Sequence, residues 1–472
     1  MKFFKTTIIL AVVAAIAVFA YWYFEVKKTK EKKAKEEKEA LLFEQKDVPI
    51  TKIIFIRKGE KSVVAVRKVK KVKKKENDEE KVEEQPYWEI TSPVKTPGDL
   101  YTLKSIADDI KHAKRVEVVW NDLSKAKEYG LDNPDFSLRF YYKDDPKERG
   151  MDFGIKTLDQ KKVFAKVLGQ NKIYALESST LESLNRSLFD IRDKTIAPIK
   201  KDDVVAVTLF SAMNQFKLEK KQDGWYFSDG TKASDSRIDL YLGSLRWGDF
   251  NEVVKEKGTV QDFKNYGLDK PRLILTYHLK DGKNFVFIVG DPIKEAKTTY
   301  YYATRSTDNI IFEVKSDLVF RLDSNKFYLK DRHIFDFKFD DVNKLTVRKM
   351  GFNKFTFVKK DDKWYYEEND KEVKKSYRLD GIVRALSDAE YEETEPIKRG
   401  DPNYANTGID NPKYEVILYF NNGRKPIKVL VTKRNEKTMK VYISPNNGET
   451  VYLTAGYFVD NIPENVDDLM KE

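Results

Sequence analysis

A chain of 472 residues is too long for one ordinary core and calls for two to four domains of about 100–200 residues each. A hydrophobic fraction of 40% is ample for folded cores, and the absence of cysteine excludes disulfides, thiolate catalysis and finger-type zinc sites. The net charge of +11 is concentrated: residues 1–46 hold 10 lysines against 6 acids and residues 67–85 hold 8 basic against 6 acidic residues, leaving a mixed-sign remainder that argues against nucleic acid as a partner.

From Thr6 to Phe24 the chain carries no charge, close to the ~20 residues that cross a hydrocarbon core. Tyr21, Trp22, Tyr23 and Phe24 follow where such a helix leaves the bilayer, a position that suits amphipathic rings. The reading is a membrane anchor over residues 6–24. A cleavable signal peptide competes, with Lys2 and Lys5 as its basic start and Val18-Phe19-Ala20 as its cleavage site. Orientation is in conflict: Lys27, Lys28, Lys30, Lys32, Lys33 and Lys35 outnumber Lys2 and Lys5 and favour a cytoplasmic C-terminal side, whereas a short basic tail before the first apolar segment is the layout of exported chains. Residues 25–46, rich in Lys, Glu and Ala, read as a charged helical stalk.

Beyond the stalk one pattern is written three times. Tyr129-Gly130-Leu131-Asp132-Asn133-Pro134 returns as Tyr266-Gly267-Leu268-Asp269-Lys270-Pro271 and as Thr407-Gly408-Ile409-Asp410-Asn411-Pro412, at pitches of 137 and 141 residues. Trp88, Trp225 and Trp364 precede the three motif prolines by 46, 46 and 48 residues. Upstream of each Trp, alternating apolar positions such as Ile54, Ile56 with Val64, Val66, or Leu345, Val347 with Phe355, Phe357, predict a β-hairpin, and the Trp opens a third strand. The first copy alone carries a Lys/Glu-rich stretch between hairpin and Trp, expected to be an exposed loop over 67–85.

Between Trp and motif, Leu103, Ile106 and Ile110, then Ile238, Leu242 and Leu245, then Leu379, Val383 and Leu386 recur at helical spacing. After the motif Phe136, Leu138 and Phe140, then Leu273, Leu275 and Tyr277, then Tyr414, Val416 and Leu418 alternate as half-buried strands. Two more strands follow, turning at Gly169–Asn171, Thr307–Asn309 and Asn446–Gly448. Arg192-Asp193-Lys194 and Lys330-Asp331-Arg332 echo each other at the junctions. The expected class is α+β: an N-terminal transmembrane helix (1–24), the stalk (25–46), and three tandem mixed α/β modules of β-hairpin, Trp strand, helix and antiparallel strands over 47–200, 201–339 and 340–472.

Chemistry finds little purchase. Glycine-rich phosphate loops and the Gly-x-Ser-x-Gly elbow are missing, and Gly224 with Gly230-Thr231 has the wrong spacing. His112, His278 and His333 do not recur at one repeat position. Asp132, Asp269 and Asp410 read as turn residues launching a strand, in preference to an acid/base or calcium set, and the three Trp read as packing in preference to platforms for sugars or peptides. No catalytic, cofactor-binding or metal-binding residue is assigned, and no cofactor is expected.

The set of Trp strand, helix, Tyr-Gly-Leu-Asp-x-Pro and amphipathic strand behind an N-terminal anchor resembles the bacterial domain-of-unknown-function family forty-three-forty. The resemblance covers nearly all of residues 47–472 and is strongest over Trp88–Asp193 and Trp225–Asp331; the third copy has Thr407 and Ile409 where the pattern has Tyr and Leu. Members are commonly encoded beside gliding-type ABC transporter subunits, so the resemblance implies a non-catalytic, single-pass inner-membrane protein, its bulk periplasmic, acting as accessory or scaffold of such a transporter. Two other readings stay open: an envelope glycan-binding or hydrolytic enzyme with a site between modules, and a cytoplasmic-facing protein that binds anionic lipid through its stalk.

Overall fold

The computed structural model describes residues 22, 23, 27, 32, 39–76, 79–293 and 299–471. All but Trp22 and Tyr23 of the expected membrane span over 6–24, and most of the stalk, therefore lie outside the described residues. Among the described residues no helix is long and apolar enough to cross a membrane.

The described chain is dominated by three antiparallel sheets. The first contains β1 (Ile50–Arg57), β2 (Val63–Glu76), β3 (Glu79–Ser92), β4 (Thr96–Gly98), β5 (Glu117–Trp120), β6 (Phe136–Tyr142), β7 (Arg149–Lys156), β8 (Lys162–Val167) and β9 (Ile173–Glu177). Helix α1 (Leu100–His112) separates β4 from β5, and α2 (Ser178–Leu184) and α3 (Leu188–Ile191) close the module. Across the sheet the order is β4-β3-β2-β1-β6-β7-β8-β9-β5. The helix thus carries the chain from one edge of the sheet to the other, and this crossing decides which face is buried. Asp99 caps α1 by accepting from Thr102 N–H at 2.7 Å, and Leu103, Ile106 and Ile110 sink into a core with Trp88, Phe55, Phe140 and Phe153.

The plan repeats. The second sheet holds β10 (Val204–Ser211), β11 (Gln215–Lys221), β12 (Gly224–Phe227), β13 (Glu252–Lys255), β14 (Leu273–Leu279), β15 (Asn284–Pro292), β16 (Tyr300–Arg305) and β17 (Ile311–Lys315), in the order β12-β11-β10-β14-β15-β16-β17-β13. Its helices are α4 (Asp235–Arg246), α5 (Val260–Asn265), α6 (Ser316–Leu322) and α7 (Lys326–Leu329). The third holds β18 (Val342–Lys349), β19 (Lys354–Lys360), β20 (Lys363–Tyr366), β21 (Lys371–Glu372), β22 (Ile397–Lys398), β23 (Tyr414–Phe420), β24 (Ile427–Val431), β25 (Lys440–Ser444) and β26 (Thr450–Ala455), with α8 (Ser376–Ser387) and α9 (Asp467–Met470). Its order is β21-β20-β19-β18-β23-β24-β25-β26-β22. By contact density the chain falls into two compact units, one of residues up to 215 with 240–323, the other of 216–239 with 324 onward.

Four expectations need correction. The stretch over 67–85 is no loop: β2 and β3 run on as a long hairpin, paired from Lys68↔Tyr87 through Lys71↔Glu84 to Glu76↔Glu79. A two-stranded ribbon has no buried face, so its strands need no apolar alternation and their charge density disguises them. The hairpin phase in the first copy is shifted by one residue, since Ile53, Phe55, Val63 and Ala65 are buried while Ile54, Ile56, Val64 and Val66 are only half-buried. Four consecutive apolar residues, Ile53 to Ile56, leave the period of two without a phase.

At least two strands per copy escape the expected pattern: β6, β14 and β23 are each followed by three strands, not two, and a short strand after the helix (β5, β13, β22) closes the far edge, while β4 and β21 add a further short strand beyond the Trp strand in the first and third copies. β7 reads RGMDFGIK, in which two glycines and three charges hide the alternation. Finally, Leu42 and Phe43, assigned to the stalk, are buried, and Phe43 packs edge-on against Phe140 at 4.9 Å. Leu42 N–H and Arg115 N–H bond to the carbonyls of Ala113 and Ala40, so the last residues before β1 are built into the first module.

Candidate functional site

Two features recur at matching positions, and both are made by residues that the repeat pattern singles out. The first is the motif turn. Gly130, Gly267 and Gly408 adopt φ of +70°, +68° and +68°, a left-handed conformation that glycine enters without steric penalty. In the first two copies the carbonyl just before that glycine accepts from the neighbouring strand: Tyr129 O from Ile155 N–H at 3.0 Å, and Tyr266 O from Asp291 N–H at 2.9 Å. A Cβ on Gly154 or Gly290 would lie 2.0 or 2.2 Å from those oxygens, so both positions require glycine. The tyrosine rings then cover the sheet, Tyr129 on Phe164 at 4.5 Å and Tyr266 on Tyr302 at 4.6 Å.

The motif aspartates sit on the outside of these turns. Asp132, Asp269 and Asp410 are all exposed. Asp410 accepts from the Tyr404 hydroxyl at 3.2 Å and lies 3.5 Å from the Arg399 guanidinium. The Trp side chains are buried, Trp364 donating its Nε1–H to Asp380 at 2.8 Å, and offer no face for stacking. The histidines stand in separate surroundings: His112 Nδ1 lies 2.8 Å from the Asp108 carbonyl, His278 between Thr208 and Asn284, His333 against Asp331. Among the described residues no group of three or more His, Asp or Glu could hold a metal ion.

The second feature is the joint between modules. Arg192 is buried to 1% exposure, bridges to Gly98 on β4 through its backbone, and sends Nη2 to Glu256 Oε2 of the next module at 2.8 Å. One repeat on, Lys330 is buried to 5%, bridges to Ala233 and pairs with Glu395. The cations are 138 positions apart and the glutamates 139, so the pairing is inherited with the repeat. Each cation is followed by an aspartate whose carboxylate accepts the backbone N–H two residues on, Asp193 from Thr195 at 2.9 Å and Asp331 from His333 at 3.2 Å.

From there the linker is stitched forward. Phe250 N–H bonds to Lys194 O and Ile196 N–H to Gly248 O, while Tyr391 N–H bonds to Arg332 O and Ile334 N–H to Ala389 O. Arg305 donates to the Ile196 carbonyl at 3.1 Å, and Arg237 and Arg332 both reach Glu390. These charges set the local electrostatics. Burial pushes the Asp331 carboxyl up, but hydrogen bonds from His333 outweigh it and hold the group below its usual range. Asp249, which has Asp193 and Asp99 as neighbours, is instead raised by desolvation and by those like charges. A buried guanidinium or ammonium, one glutamate and a pinned linker make a structural clamp; nothing in the set positions a nucleophile against a base.

Sequence reading located Arg192-Asp193-Lys194 and Lys330-Asp331-Arg332 at the junctions but missed Glu256 and Glu395. Their only signal is recurrence at the repeat pitch.

The profile of the family described as Domain of unknown function (DUF4340) matches the chain three times, over residues 88–260, 225–396 and 375–472. The chain belongs to that family. The first two matches begin at Trp88 and Trp225 and run across a joint into the next module, so the joint lies inside the family pattern. No curated protein matches significantly, and neither does any solved structure.

Proposed function

We propose that this chain is a non-catalytic, membrane-anchored envelope protein that presents its tandem modules outside the cytoplasm as an accessory or scaffold of a gliding-type ABC transporter. One observation carries the non-catalytic part: the residues that recur from copy to copy are consumed by architecture. The Trp fill cores, the motif glycines turn the chain, and Arg192 and Lys330 clamp the joints. A scaffold needs repeated surfaces, and three copies of one module with clamped linkers supply them. The uncharged segment 6–24 with its aromatic border supports the anchor, and the association of the family with transporter subunits supports the partner.

The test is crosslinking in membranes. A photo-reactive residue at exposed Tyr101 or Phe210 should give adducts with transporter subunits, and the protein should stay with the membrane pellet through alkaline carbonate. Release by carbonate together with the absence of adducts would sink the proposal.

A further inference from the structure

The third module breaks the motif turn in a correlated way. Register places Phe164, Tyr302 and Tyr442 at one position, since each precedes the residue opposite Phe153, Val289 and Val431 on the neighbouring strand. The same register places Gly154, Gly290 and Thr432 together. In the first two copies a motif tyrosine covers that aromatic and the glycine admits its carbonyl; in the third the motif residue is Thr407, the glycine is Thr432, and the aromatic Tyr442 is kept. No ring packs on Tyr442 among the described residues, although Phe164 and Tyr302 are both covered.

The space left is a cavity of about 530 Å³ bordered by Tyr442, Thr407, Thr432, Asn406, Asn411 and Glu393. That volume lies in the range of small-molecule sites. Its walls are fixed: Thr407 Oγ1 donates to Tyr404 O at 2.7 Å, Thr432 Oγ1 accepts Tyr442 N–H at 3.0 Å, and Lys440 Nζ holds Glu393 at 2.6 Å. By contrast, the side-chain amides of Asn406 and Asn411 carry no protein hydrogen bond among the described residues. Each presents a carbonyl oxygen and two N–H donors at the mouth.

We propose that this vacated slot binds the ring of a neutral sugar. An aromatic face flanked by two unengaged amides suits a pyranose, whose C–H face packs on a ring while its hydroxyls exchange hydrogen bonds with planar amides. Glu392 and Glu393 share Lys440, and Lys433 on the border supplies a second cation, so the charges around the slot balance and a net-neutral ligand suits it better than an ionic one. The site lies within one module and does not depend on the anchor, the orientation or the transporter.

Saturation-transfer NMR on the purified full chain tests it, with the methyl pyranosides of glucose, galactose and N-acetylglucosamine as probes and p-cresol as a mimic of the missing tyrosine side chain. Transfer to the ring protons of at least one pyranoside is expected. It should fall at least five-fold in the T407Y/T432G double variant, which restores the residues of the first two copies and refills the slot. Should that variant fail to fold, Asn411→Ala and Tyr442→Leu must show the same loss. Silence from all three sugars, undiminished transfer in the variants, or binding of p-cresol alone would overturn the assignment.

Discussion

Buried cations are costly unless paired, and the joint depends on that fact. Arg192 is almost wholly enclosed, its Nε has no hydrogen-bond partner among the described residues, and its one carboxylate, Glu256, is partly open to solvent. Glu256→Gln leaves the guanidinium buried with a neutral partner and should cost about 1–2 kcal/mol of unfolding free energy, while Arg192→Ala, which also opens a void, should cost about 3 kcal/mol. Urea titration measures both. Lys330→Arg, which imports the residue of the first joint, should stay within about 1 kcal/mol of wild type. Gly154→Ala and Gly290→Ala should each cost about 2–3 kcal/mol, because the added methyl meets a backbone carbonyl that cannot swing aside.

Titration at the first joint runs the other way from that of an ordinary paired carboxylate. The folded-state pKa of Asp249 is raised, so its charged form opposes folding above that pKa and contributes nothing once both states are protonated, below the usual aspartate range. Asp249→Asn should therefore stabilise at neutral pH, by about 0.5 kcal/mol or less because the side chain is exposed, and the gain should vanish as the pH falls through the carboxylate range. Asp331 has a depressed pKa, and its contribution is present above the usual aspartate range and lost as the pH falls below it. Denaturation midpoints of D249N and D331N followed from pH 7 to pH 3 check the two signs.

At the scale of elements, three copies made much of the module legible. The Trp strands, the apolar faces of α1, α4 and α8 and the motif strands β6, β14 and β23 all followed from periodicities that recur, and recurrence separates signal from accident. What escaped has physical reasons. β7 is broken by Gly154, which its contact with Tyr129 requires, and by Gly150, where a Cβ would meet the Leu138 carbonyl, and the extension of β2 and β3 lacks a buried face. The ion pairs of the joints join residues 64 and 65 positions apart, a distance over which local patterns are silent.

The long hairpin is separable from the core. In the second and third copies the strand turns one residue past the position facing the Trp, at Lys221↔Gly224 and Lys360↔Lys363, the latter through Asp361 and Asp362 at positive φ. Replacing Val69–Pro86 by Asp-Gly should give the first copy the same turn and shift the melting temperature by no more than about 3 °C. A larger loss in a thermal melt would show that the extension stabilises the module.

On the scale of the whole molecule, membership of the family and the three sheets establish what is built, and the anchored scaffold is the use proposed for it. The sequence charges around residues 6–24 pull the orientation both ways, with the lysines after Phe24 opposing export. Orientation therefore tests the account most directly. Paired C-terminal reporters, one active only outside the cytoplasm and one only inside, should give outside activity from protein that carbonate does not extract. Inside activity would contradict the account, placing the modules in the cytoplasm and the Lys-rich stalk against the anionic inner leaflet.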